Sequence, residues 1–311
     1  MPIVYWFSDG AGVDVVKGGP GKDTPIPTIM MRWIRSQSPD LIVYGGDVYK
    51  EGKPDEFKEF LKQMDNDVSL MCELPGNHDW KDAGEVDGKG RIPRGYENFW
   101  SLHPESKQRI DSTKRGAARY DHVIDIGNWR LIFVDTGDYR KNPWPAGDET
   151  RKAWLRSKLK PGRANILLAH HSRVSCGNHG HNSKLDELWR ALFDESGRPL
   201  VAFTIAGHDH NVNAYGPRSR NDPEGDSVPF AQGIHAFVNG AAGDGHYHCG
   251  SGILGFLPGK EGDLFTDDDN YCVTRINLID ERSADVDVVS FAKEAKTAPV
   301  VVPESLVRIR L

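Results

Sequence analysis

Five short apolar runs, each broken off by a turn that carries metal-ligand side chains, constrain this chain more than any other feature. Ile3 to Phe7 ends in Ser8-Asp9-Gly10, Leu41 to Tyr44 in Gly45-Gly46-Asp47, and Val68 to Leu74 in Pro75-Gly76-Asn77-His78-Asp79. Asn165 to Ala169 ends in His170-His171, and Val201 to Ala206 in Gly207-His208-Asp209-His210. Runs of this length and composition read as buried strands, and the Gly and Pro residues behind them turn the chain sharply. Open α/β sheets build their sites in loops outside the carboxyl ends of strands. One such loop alone reads as a polar turn that happens to carry Asn, His and Asp. Five at successive strand ends read as one site.

The segments between the runs indicate the fold. Apolar positions Ile29, Met30, Trp33 and Ile34 recur at helical spacing within about Pro27 to Gln37. Pro54 opens a short amphipathic helix that turns Phe57, Phe60, Leu61 and Met64 inward. Together with the first three runs they make a β-α-β-α-β series, the signature of a partly parallel sheet covered by helices. Arg119 to Ile126 and Trp129 to Val134, joined by Gly127-Asn128, read as a hairpin. Further helices are expected from about Glu149 to Leu159, stopped by Pro161-Gly162, and from Ser183 to Phe193. After Asp209 the runs Asn211 to Tyr215, His235 to Asn239, Tyr271 to Leu278 and Asp285 to Phe291 follow without helices and read as a second, largely antiparallel sheet. The expected class is α/β: a four-layer αββα sandwich of two mixed β-sheets flanked by helices. Residues 80–118 have no clean period and read as an excursion over the active face, anchored by Tyr96, Phe99 and Trp100. No linker, repeat or low-complexity tract divides the 311 residues, so one domain, 1–311, is expected.

Composition narrows the function. A net charge of −6 is not the electrostatic footprint of a nucleic-acid binder, and the locally basic stretch Lys107 to Arg119 reads as a solvated face. There is no 18-residue apolar stretch to span a membrane, and the N-terminus opens directly into a strand, so a cytoplasmic protein is expected. The four cysteines have no CxxC spacing; Cys72 and Cys272 read as core thiols.

The chemistry follows from the donors. A dinuclear metal site needs a bridging carboxylate, further oxygen ligands and several neutral imidazoles. In chain order, Asp9 would bind one ion, Asp47 would bridge, and Asn77 would give its amide oxygen to the second ion. His170 and His208 would complete the second ion's shell, and His210 would return to the first. On an extended segment His208 and His210 would point the same way and reach one cluster.

The order Asp9, Gly46-Asp47, Gly76-Asn77-His78-Asp79, His170 and Gly207-His208-Asp209-His210 resembles the calcineurin-like metallophosphoesterases. The run Gly207 to Asn211, the Trp154-Leu155 helix and Phe237-Val238-Asn239-Gly240-Ala241-Ala242-Gly243 make the small purple acid phosphatases the nearest subfamily, over roughly residues 2–291. The resemblance implies a phosphoester hydrolase with two metal ions that polarise the phosphoryl group and lower the pKa of a water for in-line attack. Its pattern departs here in two places. Ala11 stands where most of the superfamily has a histidine, and Lys50 stands where purple acid phosphatases carry a ligand tyrosine, with Tyr49 one residue early. With Tyr49 coordinated, Fe(III) plus a divalent Fe, Mn or Zn ion is expected; with Tyr49 packed in its loop, Mn, Mg or Fe.

His78, next to the ligand Asn77, is the candidate general acid. His179, nine residues past His170, occupies the place of a second outer histidine in the resembled family. Asn77 and His171 are candidate substrate contacts, and a core imidazole is an equal reading of His171. Asp79 and Asp209 read as groups that orient neighbouring imidazoles. His246 and His248 read as part of a surface loop near the cleft. A phosphomonoesterase acting on a small phosphoester leads; the alternatives are a phosphodiesterase for nucleotide or lipid diesters, and a non-catalytic scaffold with a degraded first site.

Overall fold

The computed structural model of the chain describes residues 1–10, 15–16, 24–48, 50–51, 53–79, 121–136, 149–159, 164–243, 245–249, 263–267, 269–291, 300–301 and 307–310. In chain order the first half contains β1 (Ile3–Phe7), a ribbon of β2 (Val15–Val16) and β3 (Thr24–Pro25), α1 (Ile26–Ser36), β4 (Leu41–Tyr44), α2 (Pro54–Gln63) and β5 (Met71–Glu73). There follow β6 (His122–Ile126), β7 (Trp129–Val134), α3 (Glu149–Lys158), β8 (Ala164–Ala169), a 3-10 turn (Ser183–Leu185) that runs into α4 (Asp186–Ala191), and β9 (Phe203–Ala206). The chain ends with β10 (Val212–Ser219), β11 (Gly233–Asn239), β12 (Asp263–Asp267), β13 (Tyr271–Leu278), β14 (Ser283–Phe291), β15 (Val300–Val301) and β16 (Val307–Arg310).

These strands form two mixed sheets. The first runs β15, β14, β13, β1, β4, β5, with β16 also paired to β14; the second runs β12, β10, β11, β9, β8, β7, β6. Strands β1, β4 and β5 are parallel, and so are β11, β9, β8 and β7. Alternation along β1 explains the layers. Val4 and Trp6 enter the core between the sheets with Val43, Leu131, Phe133, Ile166 and Phe203, while Tyr5 and Phe7 face outward into the layer formed by α1 and α2 with Met30, Ile34, Phe57 and Phe60. On the far side, Ile132, Val134 and Leu167 meet Leu155 of α3 and Leu188 and Trp189 of α4. Each fully buried side chain of this size contributes about 1.5–3 kcal/mol, so both coverings add to the stability of each sheet. The result is the αββα sandwich expected from sequence.

The later strands depart from expectation. They do not make a second sheet of their own: β10 and β11 extend the sheet of β6 to β9, whereas β13 pairs antiparallel with β1 and brings β14 into the first sheet. The physical reason is that β1 has an unpaired edge opposite β4, and β13, apolar on both faces, satisfies it while Ile276 enters the inter-sheet core. The strand expected at 68–74 is shorter, because Val68 closes a turn to Met71 (3.0 Å) before β5 begins. The helix expected at 183–193 starts as a 3-10 turn capped by Asn182, whose side chain accepts from Lys184 N at 3.2 Å. The stretch 80–118 and the Pro161-Gly162 stop lie outside the described residues.

Candidate active site

The first sheet supplies oxygen donors. Asp9 follows β1 at φ 64° and Asp47 follows β4 at φ 57°, both in left-handed backbone. Such a conformation costs a non-glycine residue roughly 1–3 kcal/mol, and a polar site that needs both carboxylates aimed back over the strand ends offsets it. The two turns are tied together: Asp9 N donates to Gly46 O at 3.1 Å, and Asp79 Oδ2 accepts from Asp47 N and Gly76 N, each at 2.8 Å. A Cβ on Gly76 would lie 2.1 Å from Asp47 Oδ1 and 2.5 Å from Asp47 N, so only glycine allows the 47 and 76 loops to approach this closely. His78 N donates to Asp47 Oδ1 at 2.9 Å.

The second sheet supplies imidazoles. His170, fully buried at the end of β8, donates from Nδ1 to Gly45 O at 2.8 Å. A carbonyl can only accept, so Nδ1 carries the proton and Nε2 faces Asn77 Oδ1 (3.3 Å), Asp47 Oδ2 (3.5 Å) and Asp9 Oδ1 (3.9 Å). The segment with His208 and His210 is not extended. Asp209 N donates to Gly207 O (2.9 Å) and Asn211 N to Asp209 O (2.7 Å) in two tight turns, with His208 at φ 70°. The two rings therefore approach from different sides. His208 meets His170 and His171 at ring-centroid distances of 5.1 and 4.2 Å, while its N–H donates to Asp9 Oδ2 at 2.8 Å. His210 donates from Nδ1 to Gly245 O at 2.8 Å and turns Nε2 to within 3.8 Å of Asp9 Oδ1.

Donor atoms of Asp9, Asp47 and His170 lie within 4.8 Å of one another, and those of His170, His171 and His208 do the same. The charges in this arrangement call for a cation. Burial pushes Asp9 up to about 6, with Asp47 reinforcing it and His170 opposing. Burial acts to raise Asp47 as well, but the His170 imidazole and the His78 N–H outweigh it and hold that carboxylate well below its usual range. His170 is drawn down by burial, yet the Asp47 and Asp9 carboxylates lift it to about 10. A proton on His170 thus offsets part of the charge of the two acids; metal ions would take over that role and leave the imidazole neutral. Asp9 Oδ1 is buried without a hydrogen-bond donor, a costly state for a carboxylate oxygen and one that coordination would relieve. The donor set of hard oxygens and imidazoles fits metal ions of the Mn, Fe, Zn or Mg type.

The remaining expected residues fall as follows. His78 is half-buried and donates from Nδ1 to Lys50 O at 2.7 Å; the Lys50 loop is itself held by Glu56, which accepts from Glu51 N and Lys53 N at 3.0 and 2.9 Å. His179 stacks on His208 at 3.9 Å, and burial depresses its pKa, His210 and His170 adding to that and Asp209 opposing. His171 contacts Thr136 Oγ1 through its N–H (3.0 Å) and Nδ1 (3.1 Å). Tyr49 lies outside the described residues. Asp79 and Asp209 were expected to orient imidazoles. Instead Asp79 braces the backbone of two loops, and Asp209 Oδ1 accepts from the His179 N–H at 2.9 Å, because donors in tight turns point inward at these carboxylates. Sequence reasoning did not find Thr136, nor the disulfide between Cys176 and Cys249, whose Cα atoms are 4.8 Å apart. Those cysteines are 73 residues apart with no motif around them, so nothing in the sequence paired them. Cys72 and Cys272 are buried thiols outside the disulfide, as expected.

The model of the calcineurin-like phosphoesterase family matches residues 20–212, and the chain belongs to that family, a class of metal-dependent phosphoesterases. No curated protein matches the chain by sequence. Among solved structures, a purple acid phosphatase from yellow lupin (Lupinus luteus) seeds is similar at 17% identity and a TM-score of 0.63 over 93% of this chain and 51% of that one, so the chain spans about half its length. GAP50, the anchor in the inner membrane complex of Plasmodium, is similar at 15% identity and a TM-score of 0.58 over 96% and 88% of the two chains. A dimetal phosphatase from Danio rerio is similar at 11% identity and a TM-score of 0.55 over 97% and 98%. At these identities the likeness is one of fold. Among the described residues, no helix is long and apolar enough to cross a membrane.

Proposed function

We propose that the chain is a dinuclear-metal phosphomonoesterase in which Asp47 bridges two ions, Asp9 and His210 serve the first, and Asn77, His170 and His208 serve the second. The observation that carries this reading is Asp9 Oδ1, buried without a donor and within 4 Å of His170 and His210. Bound cations would polarise the phosphoryl oxygens and lower the pKa of a water. The chain's own residues then do the rest. Gly45 O and Gly245 O fix the imidazole tautomers of His170 and His210, and Asp79 fixes the loop that carries Asp47. His78, anchored through Nδ1 on Lys50 O, holds a proton for the leaving alkoxide on Nε2. His179 and His171, crowded around His208, are candidates to hold the phosphoryl oxygens. This concentration of imidazole donors supports a dianionic monoester over a diester. With Tyr49 as a ligand, the first ion would be Fe(III) beside a divalent ion; without it, both would be divalent Mn, Mg or Fe.

The Cys176–Cys249 bond supports an oxidising compartment over a cytoplasmic one. A non-catalytic scaffold has in its favour the fold neighbour described as an anchor; the intact Asp9, Asp47 and His170 cluster argues against it. The test is hydrolysis of p-nitrophenyl phosphate and of bis-p-nitrophenyl phosphate by protein loaded with Mn²⁺ or with iron, alongside metal content. Two ions per chain and faster monoester turnover are expected. Turnover of the diester alone would replace the reading with the phosphodiesterase, and two ions bound without turnover of either would leave the scaffold.

A further inference from the structure

The segment 245–249 lies between β11 and β12 of the second sheet and carries none of the proposed metal ligands, yet it holds His210 from three directions. Gly245 O accepts from His210 Nδ1 at 2.8 Å. Tyr247 N donates to His210 O at 3.1 Å, and Tyr247 O accepts from Asn211 Nδ2 at 2.7 Å. The Tyr247 ring lies flat on the His210 imidazole, with centroids 4.2 Å apart and planes 8° apart, and presents an edge to His179 at 5.4 Å. Cys249 then closes the segment onto Cys176, in the loop that also carries His179. One short segment therefore touches an imidazole on each side of the centre, and the disulfide fastens it to the loop of the second.

We infer that Tyr247 is a positioning residue: its ring, fixed by the Cys176–Cys249 bond, locks the His210 imidazole with Nε2 toward Asp9 and thereby sets the affinity of the first ion. The inference rests on the proposed role of His210 as a ligand. A hydrogen bond from Nδ1 alone leaves an imidazole free to rock about the bond axis; a ring stacked in parallel on its face removes that freedom. Partners that orient a ligand histidine typically change metal affinity about 10–100-fold. A side chain that only filled space would leave affinity unchanged when replaced by one of similar bulk.

The experiment titrates Mn²⁺ into metal-free full-length protein by calorimetry and counts ions and affinities for wild type, Tyr247→Phe, Tyr247→Leu and His210→Ala, with a thermal melt of each metal-free protein to confirm folding. Tyr247→Phe should match wild type, because the stack is retained. Tyr247→Leu should weaken one of the two ions about 10-fold and leave the other alone. The paired substitution Cys176→Ala with Cys249→Ala should weaken the same ion by a smaller factor. If His210→Ala binds two ions as wild type does, the ligand assignment beneath the inference is wrong. If His210→Ala loses one ion while Tyr247→Leu keeps both at wild-type affinity, the ligand assignment stands and the positioning role is overturned. Equal losses in the Phe and Leu variants would assign the effect to the hydroxyl and also overturn it.

Discussion

The two sheets make unequal contributions to the site. The first delivers the oxygen donors Asp9, Asp47 and Asn77 from the ends of β1, β4 and β5; the second delivers the nitrogen donors His170, His208 and His210 from the ends of β8 and β9. The oxygen half is rigid through backbone: left-handed turns at Asp9 and Asp47, and loops tied by Asp79 and by a glycine that admits no Cβ. The imidazole half is rigid through side-chain partners: carbonyls on Nδ1, a hydroxyl beside His171, a tyrosine ring on His210. Metal ions shared between the halves would fasten sheet to sheet at the open end of the sandwich. That difference predicts that damage to the oxygen half spreads to both ions, whereas damage to the imidazole half stays local.

The largest effect should come from Asp47→Ala. If Asp47 is the bridge proposed above, its loss should remove several kcal/mol of transition-state stabilisation, about 10³-fold in kcat/KM for roughly 4 kcal/mol, and metal content should fall toward zero. His208→Ala should retain one ion and lose less. Metal analysis of both variants beside their kinetics makes the comparison, and an Asp47→Ala protein that keeps two ions would reverse the roles of the halves.

Next in size is the contrast between His78, on the oxygen half, and His179, on the imidazole half. A proton donor matters most where the leaving group is a poor one, so His78→Ala should slow alkyl phosphates by about 10²–10⁴-fold and nitrophenyl phosphate much less. His179→Ala should instead raise KM for both substrates alike. Measured kcat and KM on the two leaving groups distinguish these outcomes; equal kcat losses on both for His78→Ala would remove the general-acid assignment.

How much of this was legible in the sequence follows from the same division. Strand ends carrying Asp, Asn or His could be seen because a short continuous apolar run with a polar turn behind it is a local signal. The pairing of β13 with β1 could not, since it depends on which edge is left open after the parallel strands have formed, and its partners are 270 residues apart in the case of Tyr5 and Arg275. The imidazole half was similarly half-legible. His170, His208 and His210 stand out by type and spacing, but the Gly45 carbonyl that orients His170 comes from the Asp47 turn, and Gly245 and Tyr247, which orient His210, come from a loop with no motif. The left-handed turn at His208 was hidden as well, because a histidine there gives none of the warning that a glycine would.

A smaller effect concerns stability on the imidazole sheet. His235 on β11 is buried against Phe230 and Phe237, with Nδ1 3.2 Å from Tyr215 O. Burial lowers its pKa to about 4 despite that carbonyl. The folded value is below the unfolded value of about 6.5, so the unfolded chain binds the proton first. The stabilisation is complete above about pH 6.5, declines as pH falls toward 4, and is gone below that; the difference is roughly 3 kcal/mol. Urea melts of metal-free protein from pH 7 to 4 should show this loss in wild type and a reduced one in His235→Asn. A parallel decline in the two proteins would trace the acid sensitivity to other groups.

The smallest expected effect decides what His171 does. Thr136 Oγ1, buried at the end of β7, accepts from the His171 backbone N–H and lies 3.1 Å from its Nδ1. Thr136→Val preserves shape but removes the hydroxyl, at a cost of about 1 kcal/mol for the lost hydrogen bond. If His171 is a core imidazole, the variant should lose that stability in a denaturant melt and keep its KM. If His171 holds a phosphoryl oxygen, its ring has lost the partner that orients it, and KM for a monoester should rise a few-fold at unchanged metal content. The neighbouring ligand candidates His170 and His208 give the control, because they meet His171 ring to ring, with centroids 4.8 and 4.2 Å away, and not through Thr136. An altered Mn²⁺ affinity in Thr136→Val would therefore mean that His171 belongs with the metal donors, extending the imidazole half by one residue and sharpening its contrast with the oxygen half.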